Sequence, residues 1–505
     1  MAVKCLREHP LWALHVTYFF VLSLIGALVL WAGGQKEEPL AFLDAFYNAV
    51  SAVTETGLAS VPIHRFSLCN QITLLLLMVV GGQVFTSAIP LFLRKLYFFS
   101  TPIPQKPSDC EIASHPHAAK TYHGGSSPSP AVEIWSIFPY TGDYHMQTQK
   151  KAMDYEALVT VSWLTACYHV FFISTGFIIC QICVVRSPHA FTVLTQNQVN
   201  PGLFSIFATV SAFGNCGYIL LDANMVPLQQ SWVILLCLGT LMLMGNTLYA
   251  PTLRFGIWVL YRSTHGKRKE VCAYILASKE RCFSHIFPSD GTFWLVGSVV
   301  FWNGCQVICM LAIDWRSEAL KGLGAGYKLV VALFQSISAR TGGMNAVNLS
   351  GFSAPTLFIA LVAMYVASYP IHISKHPARK CKGNIFMGEI FKLRRKDSFL
   401  FVATFLICFF ERDSLRHDPL NFSFFNIIYE VISAYGNVGL TIGYSCSLKT
   451  IMAHTTECLD IPCAFSGKWT FGGKAVLILV MLFGRHRNLL EDIDWDIISP
   501  LNISS

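Results

Sequence analysis

Phe204–Leu220 reads FSIFATVSAFGNCGYIL, and three other stretches of the chain resemble it. Phe46–Val61 reads FYNAVSAVTETGLASV, Phe334–Leu349 reads FQSISARTGGMNAVNL, and Tyr429–Ser445 reads YEVISAYGNVGLTIGYS. Anchored on Gly57, Gly217, Gly342 and Gly439, the four segments align. Each then has a serine six residues earlier, at Ser51, Ser211, Ser336 and Ser433. Self-similarity of this kind signals repeated structural units. The segments ahead of the glycines, near 41–55, 202–215, 327–340 and 424–437, are too short and too polar to cross a bilayer. They read as re-entrant half-helices, which membrane depth tolerates only where protein or water surrounds them.

The flanking sequence supplies the membrane spans. No Lys, Arg, Asp or Glu occurs in Leu11–Trp31, Gln71–Leu93, Leu158–Val185, Trp232–Leu253, Thr292–Ile313 or Ala354–Ser374. Each run is about as long as a helix that crosses a hydrocarbon core. Ser398–Phe410 and the stretch ending at Arg485 are weaker candidates, promoted to spans by the repeat pattern, with Lys474 snorkelling to the outer interface. The first run reads as a retained span and not as a signal peptide.

The expected fold is therefore an all-α integral membrane protein of four helix–pore loop–helix repeats, eight transmembrane helices around one pseudo-four-fold pore. Its units are 1–99, 152–262, 292–375 and 398–490. Cytosolic loops at 100–151, 263–291 and 376–397 and a tail at 491–505 complete the chain. Composition agrees: 53% of residues are hydrophobic and 13% charged, about half the charged share of a soluble protein. Of the 37 Lys and Arg, 25 fall in the N-terminus, 94–151, 254–291, 375–397 and the C-terminal tail from Arg485, and 11 in the segments on the other side. By the positive-inside rule both termini face the cytosol. The net charge of +8 thus reflects topology and not nucleic-acid binding.

Other motifs carry less. Cys180 and Cys183 form a CxxC inside a predicted span and read as buried packing. Cys446, Cys458 and Cys463 share an outside loop where two of them can pair. Asn348 and Asn421 head outside sequons, which makes the chain a candidate glycoprotein, and Asn502 heads one on the cytosolic tail. His115, His117 and His123 lie in a solvated loop with no thiol or carboxylate cluster beside them. No phosphate-binding loop or pump signature is found, so no cofactor is expected.

A ring of glycine turns has a definite use. Main-chain carbonyls can replace an ion's hydration shell, and glycine reaches the conformations that aim them at one axis. The segments SAVTETGLASV, SAFGNCGYI, SARTGG and SAYGNVGLTIGYS resemble the pore loops of the Trk/Ktr/HKT cation transporter superfamily. The likeness is nearest to plant HKT transporters and runs from Leu11 to about Arg487. It implies a Na+ and K+ transporter, a homodimer with one pore per subunit, in the plasma membrane. It places filter glycines at Gly57, Gly217, Gly342 and Gly439, beside Thr56, Cys216, Thr341 and Val438. In that family serine at the first position accompanies Na+ preference and glycine accompanies passage of both ions, so Gly57 implies that K+ enters too.

The resemblance also places Arg485, in MLFGRHR, as a positive barrier below the filter. A membrane-interface anchor is the other reading. Glu55 is either a buried structural carboxylate or a negative charge near the pore. Asp222 is either an outer-mouth carboxylate that concentrates cations or a solvated loop residue. Passive permeation is the leading function, with a strictly Na+-selective uniporter or a coupled symporter as alternatives. A symporter needs an ionisable group in the path, and the uncharged spans offer mainly His15 and His169. A membrane enzyme would need clustered His, Asp or Glu at one face, which the sequence lacks.

Overall fold

In the computed structural model, which describes residues 10–35, 39–100, 141–277, 289–366, 385–446 and 463–486, the chain is helical, and one isolated bridge joins Gln35 to Phe66. Its α-helices in chain order are α1 (Pro10–Gly33), α2 (Phe42–Val53), α3 (Leu68–Gly81), α4 (Gln83–Ser100), α5 (Thr141–Arg186), α6 (Pro188–Gln196), α7 (Pro201–Gly214), α8 (Trp232–Gly245), α9 (Tyr249–Ser263), α10 (Lys267–Ala277), α11 (Ser289–Ile313), α12 (Ala325–Ile337), α13 (Ala354–Tyr365), α14 (Ile385–Phe410), α15 (Arg412–His417), α16 (Phe424–Gly436) and α17 (Phe471–Arg485). His115, His117, His123, Cys458 and Asn502 lie outside the described residues.

Among the described residues three helices are long and apolar enough to cross a membrane: Leu14–Gly33 in α1, Ala152–Arg186 in α5 and Gly291–Ile313 in α11. Two bent pairs meet the same test when each is taken as one span. These are α3 with α4, broken by 55°, and α8 with α9, broken by 82°. Their outward faces carry apolar side chains such as Phe171, Phe255 and Phe293, all more than half exposed. α5 runs 46 residues, starting at Thr141, inside the stretch expected to be loop. α14 likewise begins at Ile385, before the expected span.

The four short helices sit inward. α2, α7, α12 and α16 lie within one to three residues of the expected half-helices, and their C-terminal halves are buried. Local sequence explains where they start. Asn200 caps α7 by accepting from the Gly202 and Leu203 amides, with Pro201 in the first turn, where its missing N–H costs nothing. Ser423 caps α16 by accepting from Asn426. Packing then runs in a cycle: α3 lies against α7, α8 against α12, α13 against α16, and α17 returns to α2.

Two sequence expectations are decided in the loops. Cys446 is disulfide-bonded and Cys463 is a free thiol. Asn421 is 3% exposed. Its amide donates to both Asp418 oxygens at 3.1 Å and to the Ser445 carbonyl at 2.9 Å, and its Oδ1 accepts from the Ser445 amide at 3.0 Å. That side chain is a tie between loops and has no room for a glycan. Asn348 is exposed. Replacing Asn421 by Ala strips buried groups of their partners and is expected to cost about 1–3 kcal/mol, read as a lower Tm of the detergent-purified protein.

Candidate functional site: four turns around one point

Three of the short helices end in the same way. The residue two before the glycine takes a left-handed conformation: Glu55 (φ 59°), Asn215 (φ 63°) and Asn437 (φ 52°). The next amide reaches back to the helix, with Thr56 N–H donating to the Ser51 carbonyl at 2.8 Å, Cys216 to Ser211 at 2.9 Å and Val438 to Ser433 at 3.0 Å. The glycines that follow have φ of 76°, 92° and 91° at Gly57, Gly217 and Gly439. A side chain there would be strained whatever space it had.

The turns touch one another in order. A Cβ placed on Gly57 would stand 3.3 Å from the Gly217 Cα and overlap the Cys216 carbonyl. One on Gly217 would stand 3.0 Å from both the Gly343 Cα and the Gly342 carbonyl oxygen. On Gly343 it would lie 3.2 Å from the Gly439 Cα and overlap the Val438 carbonyl. On Gly439 it would lie 3.0 Å from the Gly57 Cα and overlap the Thr56 carbonyl. The circuit closes, because each glycine packs on the peptide that precedes the next one. Main chain meets main chain at all four junctions, leaving no space for even a methyl group.

The third position is a correction. Sequence spacing from Ser336 points to Gly342, but the structure puts Gly343 (φ 67°) in the ring. Gly342 takes the preceding place expected for Thr341. The cause is local winding. α12 continues through a π turn, Ser338–Gly342, capped by the left-handed Gly343. The backward hydrogen bond runs from Gly343 to Ser338 at 3.1 Å. A wider turn carries the chain to the ring one residue later than a fixed spacing allows.

Side chains brace these turns from behind. Asn215 donates to the Met242 carbonyl of α8 at 3.1 Å. Asn437 donates to the Met481 carbonyl of α17 at 3.1 Å and to the Thr56 hydroxyl at 2.8 Å. Thr56 also shares a 2.8 Å hydrogen bond with Thr54. Tyr218 donates to the Leu58 carbonyl at 3.0 Å, tying the second turn to the first.

Three further glycines, not singled out from the sequence, let the outer helices close in. A Cβ on Gly81, Gly245 or Gly484 would overlap the Val53, Phe213 or Tyr435 carbonyl respectively. The residues approached lie four before Gly57, Gly217 and Gly439, so they are equivalent. Each close-packing glycine ends or nearly ends α3, α8 or α17, and the GG, GN and GR pairs beginning at 81, 245 and 484 were a usable signal. Arg340, also unremarked, is buried beside the third turn and donates to the Ser298 carbonyl at 3.2 Å.

The charged candidates are all partnered. Arg485 donates to Glu55 Oε2 at 3.0 Å and to the Gly81 carbonyl, and its guanidinium lies 5.4 Å from the Phe19 ring centre. Glu55 is 2% exposed, and the Gln83 main chain also hydrogen-bonds to it. Lys474 does not snorkel. It pairs with Asp44 at 2.7 Å, with side-chain exposures of 11% and 19%. Asp222 pairs with His64, which joins the loops that follow the first and second turns. Among the described residues no group of three or more His, Cys, Asp or Glu is placed to hold a metal ion.

Apolar helices wrapped around buried half-helices define a multi-pass membrane protein. A family model described as TrkH, cation transport protein, matches residues 137–376 and 384–501. The chain is 32% identical over 489 residues to the cation transporter HKT1;3 of Oryza sativa subsp. japonica, covering 95% of this chain and 89% of that one. It is 32% identical over 454 residues to the sodium transporter HKT1 of Arabidopsis thaliana, covering 88% and 86%. The crystal structure of the potassium transporter TrkH from Vibrio parahaemolyticus aligns with a TM-score of 0.48 at 14% identity, covering 98% of this chain and 85% of that one. The chain belongs to the TrkH family of cation transport proteins, among its plant HKT-type members.

The ring register has a direct check. Gly343→Ala combines a left-handed backbone with overlap on the Val438 carbonyl. Gly342→Ala meets only the Met242 side chain, which is flexible enough to move. Cation flux is expected to fall at least about tenfold more in Gly343→Ala than in Gly342→Ala, each normalised to surface protein. The reverse order would restore the register read from sequence.

Proposed function

We propose that this chain is a passive conductor of Na+ and K+ whose selectivity filter is the ring of Gly57, Gly217, Gly343 and Gly439. The supporting observation is the closed circuit of main-chain contacts. It brings the carbonyls of Thr56, Cys216, Gly342 and Val438 to adjoining positions, as a carbonyl cage for a dehydrated alkali cation requires. Around it, eight spans in four units line one pathway: α1 and α3, α5 and α8, α11 and α13, and α14 and α17. In this reading the ring lies toward the outer face of the plasma membrane, and both termini are cytosolic. The disulfide at Cys446, beyond the fourth turn, supports an oxidising outer side. The active form is a homodimer with one pathway per subunit, as in the family resemblance.

Both ions are admitted because Gly57 adds no side chain to the first quadrant. Serine at this site could be accommodated only by turning the Cys216 peptide it would strike, which would reshape the cage. Transport is uncoupled from protons. His169 packs between Phe85 and Phe213, and His15 packs against Phe19 and His486, so each imidazole sits in an aromatic cluster. Arg485 stands one residue beyond the close-packing Gly484, below the ring, where an unopposed positive charge would limit flux, and its pairing with Glu55 lifts that barrier.

Expression in oocytes with bath Na+ and K+ exchanged in turn tests the reading. The reversal potential is expected to follow both ions and to ignore pH. Gly57→Ser is expected to lower K+ permeation more than Na+ permeation. A wild-type reversal potential that ignores K+ would leave a strictly Na+-selective uniporter, and one that moves with pH would indicate coupling.

A further inference from the structure

The internal pattern of the chain is broken twice, and the two breaks touch. Two residues before the ring glycine, the second and fourth turns carry neutral amides, Asn215 and Asn437, each tied to an outer-helix carbonyl. The first turn carries a carboxylate, Glu55, in the same left-handed conformation. Immediately after the close-packing glycine, the first and second units carry Gly82 and Asn246. The fourth carries Arg485. The two exceptions have opposite charge and meet at 3.0 Å, although 430 residues separate them in the chain.

We propose that Glu55 is a throughput-determining residue, the built-in counter-charge that holds Arg485 aside and neutralises it at the inner side of the filter. This rests on the permeation reading above and deepens it. A guanidinium stays charged at every physiological pH. Unopposed and half-desolvated, it would repel each cation leaving the ring with little water to screen it. Three contacts fix Arg485 away from that role: the Glu55 carboxylate, the Gly81 carbonyl and the Phe19 ring face. Glu55 is equally committed. Its Oε2 takes the Arg485 hydrogen bond. The Gln83 main chain also hydrogen-bonds to the carboxylate, and Oε1 lies against Gly214 and Gly82. Glycine at both places leaves room for the carboxylate, since a Cβ on Gly214 would come 2.9 Å from Oε1 and one on Gly82 3.2 Å. Glu55 is a positioning residue here, acting on the ion through Arg485.

A double-mutant cycle decides the matter in the full-length protein, measured as single-channel or surface-normalised Na+ current in oocytes. Glu55→Gln is expected to lower the current at least about tenfold, because it frees the positive charge. Adding Arg485→Gln to Glu55→Gln is expected to restore it to within about threefold of wild type. Arg485→Gln alone is expected to change it by less than about threefold. Equal effects of Arg485→Gln in both backgrounds would overturn the proposal, and so would an undiminished current in Glu55→Gln. If Glu55→Gln fails to reach the surface, the double variant decides alone, since it buries no charge. Surface-expressed double mutant carrying a tenth of the wild-type current or less would show that the pair is structural. A wild-type protein without Na+ current would sink the permeation reading itself, whereas equal effects sink the pairing alone.

Discussion

Four peptide turns pressed main chain to main chain impose the constraint to which the rest of the molecule answers. At each junction the approach leaves no space for a β-carbon, so glycine is a requirement of the packing. Backbone brought this close must be held from behind. The short helices supply that hold. Each delivers one turn, ends in a left-handed or π-wound cap, and is buried in the interior by apolar neighbours. The outer helices follow in turn. α3, α8 and α17 carry their own glycines where a carbonyl of the short helix comes against them, and two of the three break sharply just beyond.

Polar chemistry in such an interior is expensive unless it is paired. The structure shows this in the way its charges are spent. Asp44 with Lys474 and Glu55 with Arg485 both join α2 or its turn to α17. Both therefore lie at the seam where the last unit meets the first. The seam between the first and second units carries the pair of His64 with Asp222 and the Tyr218 hydrogen bond to Leu58. Two largely buried ion pairs thus lie where the chain's first unit meets its last.

Much of this was legible in the sequence. Gly57, Gly217 and Gly439 stand in the ring at the positions their shared spacing gave, and the half-helix bounds shift by one to three residues. What failed was the assumption of constant spacing. A π turn changes the number of residues between a helix and its exit without leaving a compositional mark, so Gly342 was taken for Gly343. Partnerships were also hidden. Nothing local to Glu55 or Lys474 names a partner 430 residues away, and snorkelling was a fair reading of a lone lysine near a helix end. Asn421 looked like a glycosylation site because a sequon records three residues and not burial.

The seam between first and last units has a consequence for biogenesis. During synthesis α2 and its turn leave the ribosome long before α17 exists. Asp44 and Glu55 must then wait, in or near lipid, for cations supplied by the final helix. Until that helix inserts, the nascent chain carries unpaired acids where the mature protein has none. A truncated polypeptide would keep them permanently. Completion of the chain thereby coincides with the pairing of both acids.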